Sequence, residues 1–250
     1  MPAYNSADFI AEAIASVQVQ SFTNWELIVV DDASTDHTVE VVTEIIQRDS
    51  RIRLEQFKTN QGTANTRNKA TELARGTYVA FLDSDDRWMP EKLEVQLRLM
   101  RSTGATVVYS NYLRMDESGH SLNQRVKAIQ KLSYSKQRAN NYIGNLTGMY
   151  NAKALGKIYS PGLRKRQDWA LWMEAIKRAG QPAVGMDRDL AWYRMRTTSI
   201  SARKTDLLKY NYRVYREYLG YNAPFSFFRM IRFLWEYFLV RPRLIERSEL

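Results

Sequence analysis

Residues 80–90 read AFLDSDDRWMP. An apolar run stops at Leu82 and gives way to Asp83, Asp85 and Asp86, three carboxylates within four positions. The same pattern occurs earlier: residues 25–32, WELIVVDD, form a short apolar run that ends on Asp31 and Asp32. Continuous apolar runs bounded by polar turns read as strands buried on both faces, as in a parallel sheet covered by helices. Between and around these strands the spacing turns helical. Residues 7–20 place Phe9, Ile10, Ala13, Ile14 and Val17 on one face. Residues 34–49 do the same with Val39, Val42, Ile45 and Ile46. Residues 60–76 read as a loop entering a helix closed by Gly76, and residues 90–104 as a helix from Pro90 to Gly104. Residues 51–57 and 105–115 read as further strands. Strand and helix alternate, which predicts an α/β, Rossmann-like, mostly parallel sheet flanked by helices. In such sheets ligands bind beyond the carboxyl ends of the strands, where both acidic clusters fall.

Three readings of residues 83–86 are open from the residues alone. The acids cap the helix that begins near Pro90, or form a solvated turn, or hold a divalent cation. The chain has no cysteine and only two histidines, His37 and His120, so any metal would sit among oxygen ligands, as Mg²⁺ or Mn²⁺ does. Neither G-x-x-x-x-G-K-[ST] nor G-x-G-x-x-G occurs, so a bound nucleotide would have its phosphates held through a metal.

Composition adds a second theme. The 250 residues carry a formal net charge of +10, and the charge is uneven. The first hundred residues are acidic on balance and the remainder strongly basic. A basic balance and 15 tyrosines suit an anionic partner, but the acidic half would repel a nucleic acid and no nucleic-acid motif occurs. After residue 115 the rhythm changes. Residues 121–165 are polar, basic and Asn-rich. Residues 166–180 form a helix with Trp169, Trp172, Met173 and Ile176 on one face. Residues 183–195 hold one or two strands, and residues 204–220 and 224–241 two helices. The last of these, within 222–243, interleaves phenylalanines and Trp235 with Arg229, Arg232, Arg241 and Arg243. An aromatic, basic, amphipathic helix of this kind suits an interfacial membrane contact, with packing on the domain or a homodimer contact as the alternatives.

Five segments in order, PAYN (2–5), WELIVVDDASTD (25–36), NQGTANTRNKA (60–70), GTYVAFLDSDDRWMPEKL (76–93) and RQDWALWMEA (166–175), resemble the inverting family 2 glycosyltransferases of the GT-A fold. Within that family the chain looks most like bacterial enzymes of surface-polysaccharide assembly, of O-antigen, capsule or teichuronic-acid type. The resemblance implies a GT-A domain over 1–203, with a nucleotide-binding half at about 1–115, an acceptor half at about 116–203, and a basic helical C-terminal extension over 204–250. It also implies a reaction: transfer of a sugar from a nucleotide-sugar donor, UDP being the family's commonest, to a glycan or lipid-linked glycan acceptor. An inactive nucleotide-sugar-binding relative is the alternative.

Residue by residue, the resemblance places Pro2, Tyr4, Asp31, Asp32, Arg67, Asp83, Ser84 and Asp85 at the donor. Tyr4 would stack on the base, Asp32 with Asp31 would accept bonds from base or ribose, and Arg67 would reach the base or phosphates. Asp85 and Asp86 would approach a Mn²⁺ or Mg²⁺ ion. Asp168 matches the catalytic base, with Gln167 in place of the commoner glutamate. Trp169, Trp172 and Arg194 are expected at the acceptor side, with Arg196 and Ser199 following Arg194 in a segment like one that lies near the diphosphate. Core packing is the alternative for the two tryptophans. The expected location is cytoplasmic, peripheral on the inner face of the membrane. Family members carry an apolar strand just before PAYN; without one, a central position of the sheet would stand open.

Overall fold

The computed structural model describes residues 1–196 and 204–248, with side chains from residue 208 onward in the second segment. Two sheets are built in turn. The first is parallel, in the order β1 (Pro2–Ala3), β2 (Leu27–Asp31), β3 (Ile52–Gln56), joined by the helices α1 (Ala7–Gln18) and α2 (Thr38–Ile46). Strand β2 is buried along its whole length, which is why its sequence is continuously apolar up to Asp31. Helix α3 (Thr63–Leu73) then leads to β4 (Tyr78–Ala80), β5 (Arg87–Trp88), α4 (Lys92–Thr103) and β6 (Val107–Met115).

The second sheet grows around β6. Its further strands are β7 (Ser121–Val126), β8 (Lys131–Leu132), β9 (Met149–Asn151) and β10 (Ala183–Arg194), and the short helices α5 (Tyr134–Gln137) and α6 (Ala152–Leu155) lie between them. Helix α7 (Gln167–Ala179) precedes β10. β6 and β10 are parallel, whereas β4, β7 and β9 add antiparallel ladders. The fold is thus α/β with flanking helices as expected, its parallel character concentrated in β1–β3 and in the β6–β10 pair. The strand expected to run up to the acids is only three residues long: Phe81 and Leu82 stay buried, but the chain leaves the ladder after Ala80.

Helices α8 (Lys204–Arg213) and α9 (Ala223–Trp235), each extended by a π-helical turn, pack against α7, and β11 (Ile245–Arg247) pairs with β7. Trp169, Met173, Tyr215, Met230 and Phe233 form one buried cluster. The C-terminal helices therefore share a core with the half of the domain that carries Asp168.

At the N-terminal side, Pro2 and Ala3 pair with Val30 and Asp31. Met1 continues this pairing, donating from its amino group to Ile28 O at 2.8 Å and accepting from Val30 N at 2.9 Å. Towards the other end of β2, a cavity of about 580 Å³ separates it from β4, with Met1, Ile28, Val79 and Leu82 among its apolar walls and Glu26 and Arg75 among its polar ones.

One core residue has a thermodynamic consequence. Lys92 is fully buried, donates to Gln96 Oε1 at 2.9 Å and sits 4.0 Å over the Trp88 ring. Burial lowers its ammonium to about 7. The unfolded chain holds that proton up to about 10.5, so between these values it binds more protons than the native protein. The destabilising contribution is full below pH 7 and fades as pH rises towards 10.5. Lys92→Met, of similar length, is expected to raise unfolding free energy at pH 7 by about 2 kcal/mol and to flatten its rise towards pH 9, as read by urea unfolding at both pH values.

Candidate active site

The donor side is built at the carboxyl ends of β1, β2 and β4. Asp32, buried just past β2, accepts from the backbone N–H groups of Gln61 and Gly62 at 2.7 and 2.8 Å. Gly62 has φ +85°, a conformation that glycine adopts without strain, and it starts α3. Asp31 holds the next loop by accepting from Ser34 N at 3.0 Å and from its hydroxyl. Asn5 Oδ1 accepts from Thr35 N at 2.8 Å. With both loops tied down, Tyr4 remains 51% exposed at their edge, so its ring is open to a flat ligand.

Asp31 and Asp32, both expected at the donor, are buried, and their oxygens brace the neighbouring loops. Pro2 is likewise buried within β1 and offers no side-chain surface. Their contribution is to fix the positions of Tyr4 and α3.

Helix α3 carries Arg67, a buried guanidinium whose Nη2 donates to Asp83 Oδ1 at 2.8 Å. Its Nε–H is buried without a hydrogen-bond partner. Asp83 and Asp85 keep side-chain exposures of 35% and 27%, with Ser84 half-buried between them. Asp85 Oδ2 lies 3.5 Å from Arg196 Nη1. Burial, and then the Asp83 charge, push the Asp85 carboxyl up, against the pull of Arg196. Asp86 differs. It is buried, accepts from Arg194 N at 2.9 Å, and is pushed well above the usual carboxylate range by burial and by its two acidic neighbours. Of the two residues expected at the metal, Asp85 is thus the half-exposed one, whereas Asp86 is buried with Oδ1 on the backbone of β10.

Among the described residues no three carboxylate, histidine or cysteine groups gather as a ready-made metal cage. Two half-exposed carboxylates that repel one another still suit Mg²⁺ or Mn²⁺, which bind one or two carboxylates and complete their shells with substrate phosphates and water. The residues that fit are Asp83 and Asp85.

The acceptor side begins where α7 does. Arg166 stands in the left-handed region at φ +69°, and Gln167 opens the helix. Asp168 follows in the first turn, where the helix dipole favours a carboxylate. Its Oδ2 accepts from Asn141 Nδ2 at 2.7 Å, which sets the orientation of the carboxyl group. Gln167 Oε1 is 3.5 Å from Arg67 Nη1. One guanidinium therefore touches Asp83 on one side and the residue preceding Asp168 on the other. Arg67 thus links the acidic loop to the first turn of α7, in which Asp168 stands.

The three residues expected at the acceptor side lie inside the protein. Trp169 and Trp172 are fully buried. Trp169 donates to Gln137 O at 2.6 Å and packs edge-on against Tyr215, while Trp172 packs against Phe81 and Tyr150. A Cβ on Gly148 would meet the Trp172 ring at 2.1 Å, so glycine is what lets that indole lie in the core. Arg194 is also buried, its guanidinium donating to Asp85 O at 2.8 Å, Glu117 O at 2.9 Å and the Glu12 carboxylate. It fixes the acidic loop from behind. Arg196, two residues on and partly exposed, is the cation that reaches towards Asp85; Ser199 lies outside the described residues. Asn141 is the site residue the sequence did not single out. It sits in the Asn-rich stretch, where no periodicity tells one asparagine from the next.

Comparison with known proteins completes the description. A family model described as glycosyl transferase family 2 matches residues 1–159. A Bacillus subtilis glycosyltransferase, TuaG, named for teichuronic acid biosynthesis, is 41% identical over 216 residues, covering 86% of this chain and 85% of its own. WfgD of Escherichia coli, a UDP-Glc:alpha-D-GlcNAc-diphosphoundecaprenol beta-1,3-glucosyltransferase, is 36% identical over 209 residues, covering 84% and 81% of the two chains. Among solved structures, S. aureus TarS 1–349 in complex with UDP-GlcNAc superposes with a TM-score of 0.73 at 23% identity, covering 95% of this chain and 71% of that one. The mannosyltransferase PcManGT of Pyrobaculum calidifontis, in complex with GDP-Man and Mn²⁺, gives 0.66 at 18% identity, covering 97% and 70%. At these identities the two structures speak to the fold.

Proposed function

This chain belongs to glycosyl transferase family 2, and from that premise we propose that it transfers a sugar from a UDP-sugar to a lipid-linked glycan in bacterial surface-polysaccharide assembly, with inversion at the anomeric carbon. The observation that carries the reading is the bridge of Arg67 between Asp83 and Gln167, because it ties the acidic loop to the start of the helix that carries Asp168. The names of TuaG and WfgD support the acceptor class. The UDP in TarS and in the name of WfgD supports the nucleotide.

In this reading Tyr4 stacks on the uracil, and the loop braced by Asp32 holds α3 so that Arg67 keeps Asp83 in place. Asp83 and Asp85 would hold a divalent cation with the donor's phosphates. That ion supplies positive charge against the diphosphate as negative charge builds on it. Arg196 adds a cation beside Asp85. Asp168, oriented by Asn141, takes the proton of the acceptor hydroxyl while that oxygen attacks the anomeric carbon. The bond from the anomeric carbon to the diphosphate oxygen breaks, and its electron pair leaves with the nucleoside diphosphate. A single displacement of this kind needs one base opposite the leaving group, as in inverting glycoside hydrolysis with a sugar hydroxyl in the place of water.

The test is a panel of UDP-sugars with a polyprenyl-diphosphate-linked GlcNAc acceptor, following UDP release and the anomeric configuration of the product. One donor is expected to give equimolar UDP and glycan with inverted configuration. UDP binding without turnover for any donor and acceptor would assign the chain to the inactive relatives.

A further inference from the structure

Helix α9 is apolar on two sides. Its inner side carries Met230 and Phe233 into the cluster with Trp169 and Tyr215. Its outer side, continued through the π-helical turn Glu236–Val240, exposes Phe227, Phe228, Ile231, Trp235, Phe238 and Leu239 at helical spacing. Phe227 is 67%, Trp235 62% and Phe238 64% exposed. A helix apolar all round is normally buried, and a contiguous exposed apolar patch marks an interaction surface.

The charges around the patch say what covers it. Between Tyr218 and Ile245 the only acid is Glu236. It is buried, accepting from Lys136 Nζ at 2.7 Å and from the Tyr142 hydroxyl. The exposed charges of the segment are cationic, Arg232 and Arg243, with Arg241 half-buried beside them. An apolar stripe edged by arginine alone complements acyl chains beneath anionic headgroups. Among the described residues no helix is long and apolar enough to cross a membrane, so such an element would lie in the interface.

The surface is also tied to the site. Glu236 holds Lys136 of α5, and Arg241 Nη1 lies 3.4 Å from Asn140 Oδ1, one residue before the asparagine that orients Asp168. We propose that the outer face of α9 docks on the anionic surface of a bilayer and so holds the Asp168 side of the cleft towards acceptors carried in that membrane. The docking rests on the exposed face itself; its use for a lipid-carried acceptor rests on the sugar-transfer reading.

The experiment is flotation of the full chain with vesicles of phosphatidylglycerol and phosphatidylcholine, against vesicles of phosphatidylcholine alone, with UDP binding measured on the same preparation. Binding to the anionic vesicles is expected to be at least about tenfold tighter and to weaken in high salt. Phe228→Ser with Trp235→Ser is expected to lose binding to both vesicles. Arg232→Glu with Arg243→Glu is expected to lose only the anionic preference. All these side chains are exposed, and unchanged melting curves would confirm folded variants. Absence of flotation by the wild-type chain, or equal binding by both variants, overturns the proposal. So does a stable dimer in sedimentation that stays off the vesicles, since a second copy would then cover the face. A chain that binds UDP but not vesicles overturns docking alone; one that floats but binds no UDP overturns the transfer reading alone.

Discussion

Asp168→Asn is expected to lower kcat for sugar transfer by about 10²–10⁴-fold while leaving UDP-sugar affinity within a few-fold. The amide keeps the shape of the carboxylate and can still face Asn141 Nδ2 through its oxygen, so the start of α7 has no cause to rearrange. What is lost is the acceptor for the hydroxyl proton. In the proposed reading the donor is held by groups on other elements, Tyr4, Asp83 and Asp85, and none of them contacts Asp168 through a hydrogen bond. Initial rates and calorimetric titration of UDP-sugar on the same variant separate the two effects. A parallel loss of rate and affinity would make Asp168 a structural cap.

Removal of divalent cations is the second large effect. Activity in excess chelator is expected to fall at least about a hundredfold and to return with Mn²⁺ or Mg²⁺. Asp85→Asn is expected to reproduce most of that loss at ordinary metal concentration and to need more metal for what remains. Asp86→Asn carries a different expectation. Asp86 Oδ1 accepts from Arg194 N inside the protein, a bond that an asparagine oxygen keeps, and burial and two acidic neighbours oppose the Asp86 charge, so this substitution should leave thermal stability equal to or above that of the wild type and change metal affinity little. Metal titrations of the two variants, each with its melting temperature, distinguish a ligand from a brace. Full activity in chelator would remove the cation from the site.

The sheet and the two acidic strand ends were legible because burial on both faces writes a continuous apolar run, and a run that stops at carboxylates marks a strand end. What the acids bind was less so. The partners of Asp32 are backbone N–H groups thirty residues away at Gln61 and Gly62, and backbone groups leave no mark in side-chain spacing. The DSDD run looks uniform as sequence, yet its third acid turns inward to meet β10 while the first two stay half-exposed. α7 shows a different limit. Its apolar residues fit one amphipathic face, which left a choice between core and sugar platform for the tryptophans. The structure buries both because two partners pack on α7: the sheet receives Trp172, and the C-terminal helices receive Trp169. The aromatic, arginine-rich composition of α9 was visible in the sequence, but the split into a buried and an open apolar face depends on that packing.

The most direct test is an anomalous difference map at the manganese edge, from crystals of the chain grown with UDP and Mn²⁺. A single strong peak is expected beside the Asp85 carboxylate, against the diphosphate, in the opening that Asp168 borders. UDP bound with manganese at another place, or a peak on the far side of the chain from Asp168, would contradict it.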